Sequence, residues 1–178
     1  NHGISWEAFS KGLPNVAVHD IAVQAEAKDI LLGTHGRSIY KANIAPLQQM
    51  NASKMNASIL LFKTESVRYS SRWGSSRSKW SQAFEPSTTF KFYANTSENI
   101  TIKIVSESGI ELNTISVKTD IGFNYTDYDL TITEKGRKSF LKENTDIKIK
   151  KAKNGNYYLP KGKYTIQIGS KKTALEVK

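Results

Sequence analysis

Ile100-Thr-Ile-Lys-Ile104 and Tyr164-Thr-Ile-Gln-Ile168 are the two stretches that decide the fold class of this chain. In each of them apolar and polar residues alternate, which places the two kinds of side chain on opposite faces of a half-buried β-strand. From Phe90 onward, glycine-containing pairs that tolerate a positive φ separate such stretches, and tight turns are expected there. The pairs are Ser108-Gly109, Asn154-Gly155 and Gly169-Ser170.

The composition fits a folded protein that needs no covalent or metal support. Hydrophobic residues make up 38% of the 178 residues and charged residues 24%, which is enough apolar material for a core. The chain has no cysteine, so disulfides and cysteine-ligated zinc are excluded. No cofactor or metal is predicted, because the histidines also lack a metal-ligand spacing.

The formal net charge of +10 raises the question of a nucleic-acid partner. The basic residues are spread along the chain, and the densest run, Lys148-Ile-Lys-Lys-Ala-Lys153, alternates with isoleucines. We interpret this run as the polar face of a strand, and no nucleic-acid partner is expected. No stretch approaches the roughly 18–20 apolar residues of a membrane span, so membrane insertion is not expected either.

The first part of the chain predicts strands of its own. Val16 to Val23 and Ile30 to Tyr40 are apolar candidates, separated by a polar turn around Ala25 to Lys28. Within Asp29 to Tyr40 a glycine-rich turn leads back into a strand, whereas a phosphate-binding loop would lead into a helix. We therefore predict a structural turn, with His35 hydrogen-bonded inside it. Its residues are Gly33, His35, Gly36 and Arg37.

A polar segment divides the chain into two predicted parts. Pro46 to Ser58 is rich in Gln, Asn, Ser and Ala, as linkers are, and Ile44 to Met55 is the only short helix expected. The boundary is placed near Met50, giving parts 1–50 and 51–178. The chain begins at Asn1 without an initiating Met, and we expect it to be a piece of something longer.

The first part also resembles a known family. The specific stretch is Thr34-His-Gly-Arg-Ser-Ile-Tyr40, and weaker pieces precede it: Trp6 and Phe9, Gly12-Leu-Pro14, and Val16-Ala-Val-His-Asp-Ile-Ala-Val23. Together they resemble the last blade of the sortilin-like β-propeller proteins with BNR repeats, many of which are bacterial and classed as glycosyl hydrolases. The resemblance implies that 1–50 is a blade remnant and that the upstream propeller of the same parent chain is its partner.

The chain departs from that family where acidic residues would matter. Lys41-Ala-Asn-Ile44 stands in place of the usual acidic pair, and the Asp-box pattern is missing. Glycoside hydrolysis needs two carboxylates facing each other across a sugar, whereas aspartates at strand ends and turns are mostly solvated or bound to backbone. No catalytic residue is predicted. The aspartates considered are Asp20, Asp29, Asp120, Asp127 and Asp129.

The second part is similar to the Ig-like, FlgD-like domain that often follows such propellers. Its usual Trp before an Asp-Leu pair appears here as Tyr128, an aromatic that can still fill a core. The matching pieces are Ile104-Val-Ser-Glu-Ser-Gly-Ile110, Gly122-Phe-Asn124 with Asp129-Leu130, and Leu159-Pro-Lys-Gly-Lys-Tyr164. The expected fold is all-β, with a partial propeller blade followed by a seven- or eight-stranded antiparallel Ig-like sandwich.

One segment, Arg68 to Trp80, is the best candidate for a binding surface. Trp73 and Trp80 could stack on sugar rings while Arg72 and Arg77 donate hydrogen bonds. We expect instead that Trp73 or Trp80 is largely buried at the junction between the two parts, with the arginines directed outward, and the sugar-binding surface is the alternative. Two coplanar rings exposed to solvent would indicate a sugar-binding surface, whereas burial of a ring would indicate a role at the junction.

These observations lead to one expected function and one alternative. The first is a non-catalytic C-terminal accessory or structural module of a bacterial β-propeller, glycosyl-hydrolase-like protein, located outside the cell, at its surface or in the periplasm. The second is a carbohydrate-binding module that uses the aromatic and basic loop to hold a polysaccharide.

Overall fold

The computed structural model describes Gly3, Ile4, Trp6 and residues 12–178, so Phe9 of the family resemblance lies outside the described residues. The chain divides into two compact units, Asn1–Asn56 and Ala57–Lys178. This division falls somewhat later than the expected boundary near Met50. Antiparallel strands dominate both units, which confirms the predicted all-β class.

The first unit contains a three-stranded antiparallel meander. Its strands are β1 (Val18–Gln24), β2 (Asp29–Thr34) and β3 (Ile39–Asn43), in the order β1-β2-β3. Two single-turn helices follow, α1 (Ala45–Gln48) and α2 (Ala52–Met55), where a short helix was expected. Asn51 caps α2 by accepting a hydrogen bond from the Lys54 N–H at 2.9 Å.

The register of the meander gives it one apolar face. Cross-strand partners share a face, so Ile21, Leu32 and Tyr40 lie in one row and Val23, Ile30 and Ala42 in the next. The opposite face is mixed: it carries Leu31 and Ile39 as well as Asp29 and Lys41, which form a 2.7 Å ion pair. On the apolar face, Ile21 is 58% exposed and Val23 is 59% exposed.

The second unit contains the remaining strands and one longer helix. The strands are β4 (Ile59–Leu61), β5 (Thr88–Ala94), β6 (Asn99–Ser106), β7 (Glu111–Lys118), β8 (Gly122–Tyr128), β9 (Thr131–Ile132), β10 (Tyr157–Tyr158), β11 (Gly162–Ile168) and β12 (Lys171–Val177). The helix is α3 (Glu134–Glu143).

Two antiparallel sheets of the second unit enclose a common core. One has the order β4-β5-β8 and the other β12-β11-β6-β7, while β9 and β10 form a separate pair. Side chains from both sheets meet in this core, so the second unit is an antiparallel β-sandwich. The inward positions of the alternating stretches are fully buried, as the period-two pattern predicts. They include Phe90, Phe92, Ile102, Ile104 and Ile166.

Helix α3 was not predicted, since only Ile44 to Met55 was expected to be helical. Its start has a clear local cause: the Thr133 hydroxyl accepts from the Gly136 N–H at 3.0 Å, and Glu134 lies in the first turn. Phe140 then buries its ring in the sandwich core. The sequence does contain a signal for this helix: a capping threonine, then Glu134, then one apolar anchor. A search for alternating strands does not detect it.

The run Lys148 to Lys153 also differs from its prediction. Ile147 and Ile149 pack against the core, while Lys148 between them and Lys150 after them are exposed, so the alternation is real. However, these residues belong to no strand. Alternation indicates which side of a segment is buried. A β-strand also needs a neighbouring strand to which its backbone can hydrogen-bond.

No helix in the described part of the chain has the length and apolar character needed to cross a bilayer.

Candidate functional site

The loop from Val67 to Phe84 begins with a firm attachment to the last strand. The Val67 N–H donates to the Glu176 carbonyl at 2.8 Å, and the Tyr69 N–H donates to the Lys178 carbonyl at 2.7 Å. The Lys178 N–H returns a bond to the Val67 carbonyl at 2.9 Å. These bonds form a short parallel pairing that covers the free edge of β12.

Trp73 lies in the core of the second unit. Its side chain is only 4% exposed, and its ring contacts Tyr69 at 5.1 Å and Tyr158 at 5.8 Å between centroids. The Tyr69 contact is edge-to-face, a preferred geometry for aromatic pairs. Trp73 is therefore an anchor that holds the loop on the sandwich.

The second half of the loop projects from that anchor. The Gly74 N–H donates to the Phe84 carbonyl at 2.8 Å and the Phe84 N–H donates to the Ser75 carbonyl at 2.9 Å, so the segment between them is a closed excursion. Trp80 lies on this excursion and is 92% exposed. Arg77 on the excursion and Arg72 beside the anchor are exposed too.

The structure separates the two tryptophans that sequence reasoning had grouped together. The two rings do not form a solvent-exposed platform for a sugar, because Trp73 is buried. A junction role is not needed to explain its burial either, since its ring partners Tyr69 and Tyr158 belong to its own unit. Of the four predicted binding residues, Trp80, Arg72 and Arg77 are accessible to a ligand.

A groove of about 330 Å³ lies beside the anchor. Its aromatic lining comes from Tyr69, Trp73 and Tyr158, and three serines, Ser70, Ser71 and Ser75, contribute hydroxyl groups. The opposite wall contributes lysines and no carboxylate. These lysines are Lys148, Lys150, Lys151 and Lys153.

Asn154 and Gly74 join the two walls of this groove. The Asn154 N–H donates to the Gly74 carbonyl at 3.0 Å, and the Asn154 side-chain amide donates to the Tyr158 hydroxyl at 2.7 Å and to Glu85 at 3.0 Å. Gly74 has a φ of +72°, and a Cβ there would lie 2.6 Å from the Ala152 side chain. Only glycine combines that φ with so close an approach.

The predicted turn motif of the first unit is a turn, but its bonds differ from the prediction. The Thr34 hydroxyl closes it by donating to the Ser38 carbonyl, with 2.6 Å between the oxygens, and His35 stacks on the His19 ring at 4.9 Å. Gly36 supplies a positive φ of 70°. Gly33 lies inside β2 instead, and Arg37 is an exposed turn residue.

Among the aspartates considered for catalysis, Asp29, Asp127 and Asp129 accept side-chain hydrogen bonds from neighbouring residues. The Asp29 carboxyl accepts hydrogen bonds from Lys41 and from Asn43. These bonds, that of Lys41 most strongly, lower its pKa below the usual value. Asp127 accepts from the Thr89 hydroxyl at 2.6 Å, and Asp129 accepts from the Thr131 hydroxyl at 2.7 Å. Residues 12–178, together with the three described before them, contain no group of three or more metal-ligating side chains.

Only one wall of the groove, the aromatic loop, was identified from the sequence as a candidate binding surface. Sequence reasoning singled out the aromatic loop and treated the lysine run separately, because about 70 residues of sequence lie between them and nothing local signals their contact. The available clue was that Ile147 and Ile149 alternate with lysines. The two isoleucines are partly buried and direct the lysines beside them outward, but the sequence does not indicate which segment lies opposite those lysines.

No protein-family model matches this chain, and no curated protein or solved structure matches it. The resemblance to sortilin-like propellers and FlgD-like domains therefore remains a prediction. The functional inference rests on the contacts, burial and charge of the described residues.

Proposed function

We propose that this chain is a non-catalytic accessory module of a larger β-propeller protein of the glycosyl-hydrolase-like type. Residues 1–50 would be the last blade of the propeller and residues 51–178 the Ig-like sandwich that follows it. Its location would be bacterial and extracellular, at the cell surface or periplasmic. The observation that supports this proposal is the apolar face of the β1-β2-β3 meander, where Ile21 and Val23 remain exposed.

An amphipathic three-stranded sheet needs a cover for its apolar face. Ile21 and Val23 are a little more than half exposed, so complete burial would add roughly 1–2 kcal/mol for each. A propeller blade meets this need by packing its face on the adjacent blade, and its edges are short. The upstream propeller is the partner that this geometry fits.

Hydrogen exchange tests the blade assignment. The longer product of the same gene is compared with the present chain, and the β1–β3 amides are followed by mass spectrometry. Burial of the apolar face by a preceding blade should slow exchange in the longer product. Equal exchange in both, or upstream sequence without β-repeats, would contradict the assignment.

The non-catalytic part of the proposal has its own test. A panel of chromogenic glycosides should give no turnover above buffer with this chain, since Asp29, Asp127 and Asp129 are engaged in local bonds. Turnover that disappears in Asp20→Asn or Asp129→Asn would show a catalytic carboxylate and overturn this part.

A second candidate function is carbohydrate binding at the projecting loop, favoured by the 92% exposure of Trp80. An exposed indole ring can stack on a sugar, and Arg77 is close to it in sequence. Binding to a glycan array should then be lost in Trp80→Ala and kept in Ile121→Ala, which removes another exposed apolar side chain. Equal binding by both variants would exclude the loop as the site.

A further inference from the structure

We infer that the groove between the Trp73 anchor and the Lys148–Lys153 wall binds an acidic polysaccharide, one that carries carboxylates on hydroxyl-bearing rings. This site goes beyond the proposed accessory role and is separate from the Trp80 loop. Its basis is charge, shape and hydroxyl content within one rigid cleft.

All the charged residues that line the groove are positive. Its wall presents Lys148, Lys150, Lys151 and Lys153, and its lining contains no acidic residue. In the part of the chain that the structure describes, the ion pairs involve other lysines. Lys151 differs from the other three, because its ammonium lies 5.9 Å from the centre of the Tyr157 ring. The Lys138 hydrogen bond and, to a smaller extent, the Lys151 charge also lower the pKa of Glu134. The charge available to a ligand therefore comes from Lys148, Lys150 and Lys153. A cleft lined by one sign of charge concentrates ligands of the opposite sign.

The position of the lysines is fixed by the packing beneath them. Ile147 and Ile149 pack against the sandwich core, and Lys148 between them and Lys150 after them are exposed. The Asn154 bonds to Gly74 and Tyr158 then hold this wall against the loop. Such preorganisation reduces the entropy that a ligand would otherwise lose in ordering the site.

The other wall offers groups that suit sugar hydroxyls. The hydroxyl groups of Ser70, Ser71 and Ser75 can each donate and accept a hydrogen bond, as a sugar hydroxyl can. A volume of about 330 Å³ is at the lower end of ligand sites, so it fits a short stretch of a polymer.

The same features favour a polysaccharide over a nucleic acid. Single-stranded nucleic acids are held by stacking successive bases on several exposed aromatic rings. Of the three rings in this groove, Trp73 and Tyr158 are buried and only Tyr69 is exposed, at 36%. All the cations of the wall are lysines, which act as point charges, whereas the planar guanidinium of arginine is preferred for bidentate phosphate recognition. Carboxylates along a flexible glycan match this arrangement.

The test measures binding of polygalacturonate by calorimetry at low ionic strength, with neutral dextran as the reference polymer. The double variant Lys148→Gln/Lys150→Gln should bind about tenfold more weakly, because two exposed charge contacts are lost. Binding should also weaken when the ionic strength rises from about 0.05 M to about 0.5 M.

The matched control is Lys171→Gln/Lys172→Gln, which changes the net charge equally. These lysines follow the end of β11, whereas Tyr158 and Pro160 of the groove precede its start, a separation of about 20 Å along the strand. The control should retain wild-type affinity, and so should Trp80→Ala, which separates this site from the projecting loop. All four lysines are exposed, so the melting temperature should not change.

Three results would overturn the inference. The first is polygalacturonate binding no stronger than that of dextran. The second is an equal loss of affinity in the groove variant and the control, which would indicate attraction by net charge alone. The third is tighter binding of a single-stranded oligonucleotide of equal charge, which would assign the groove to nucleic acid.

Discussion

Trp73 and Trp80 show how the same residue type takes opposite roles within one loop. Trp73 fills a space between Tyr69 and Tyr158, and Trp80 lies on a segment closed off by the pairing of Ser75 with Phe84. The sequence predicted that this segment mattered, but not which ring is buried. That choice depends on Tyr158, which is distant in the sequence and reaches Trp73 only through the fold of the sandwich.

Substituting each tryptophan should separate the two roles. Trp73→Ala should lower the free energy of unfolding by about 3–5 kcal/mol, because it empties a well-packed aromatic site. Trp80→Ala should change it by no more than about 0.5 kcal/mol, since the ring is in water. Urea denaturation of both variants measures this, and similar values for the two would contradict the burial described for Trp73.

Two tyrosines should make the fold sensitive to alkali. Burial raises the pKa of Tyr128 and of Tyr164 well above the usual value of about 10. Their hydroxyls also donate to the Thr131 and Pro160 carbonyls, at 2.6 Å and 2.7 Å. In the unfolded chain both would ionise near pH 10, so the unfolded state binds fewer protons above that pH and stability falls as the pH rises.

Ultraviolet titration of the phenols measures this effect. Exposed tyrosines should ionise first, and Tyr128 and Tyr164 should ionise only together with unfolding. The stability contribution of the two buried phenols should be complete below pH 10 and decline above it. Tyr128→Phe should lessen the decline, and a stability that is constant up to about pH 12 would contradict the prediction.

At the scale of elements, strands were predictable and the helix was not. Alternating stretches such as Ile100 to Ile104 identified β6 and β11, because a sheet with one buried face imposes that period directly on the sequence. The apolar side chains of helix α3 are Phe140 and the partly buried Leu141, which are adjacent, so apolar residues do not recur at helical spacing along it. Its stability comes from its cap and its packing on the sandwich.

Gly136 gives an unusual prediction for that helix. Replacing an exposed helical glycine by alanine normally stabilises a protein by about 1 kcal/mol. Here the added Cβ would lie 2.7 Å from the Leu112 Cα, in backbone that cannot easily move. Gly136→Ala should therefore destabilise by about 1–3 kcal/mol.

Thermal unfolding provides the measurement. Lys142→Ala, on an exposed position of the same helix, is the control and should change the free energy of unfolding by less than about 0.5 kcal/mol. A stabilising Gly136→Ala substitution would mean that α3 does not approach the β7 backbone as closely as described.

At the scale of the whole molecule, the two units differ in how completely they bury their apolar residues. The sandwich encloses a core from both sheets, whereas every residue of β1 is exposed. Composition and turn spacing predicted both sets of strands, because these depend on local pattern. The groove was not predictable, since it is formed by segments that become neighbours only in the folded sandwich.

The units should therefore behave differently when separated. A fragment of residues 57–178 should fold alone and melt cooperatively, because its core is complete. A fragment of residues 1–56 should not, since a three-stranded sheet with one uncovered face buries too little apolar surface. Circular dichroism melts of both fragments test this, and a cooperative transition for residues 1–56 would contradict it.

The pairing of Val67 and Tyr69 with Lys178 has a consequence for the order of events during synthesis. A ribosome releases the loop segment long before Glu176 and Lys178 emerge, so the Tyr69 side of the groove must wait for the last strand. The nascent chain can form the hairpin of β6 and β7 early, because that hairpin is local. The groove would then be assembled after the β6–β7 hairpin, once β12 has emerged.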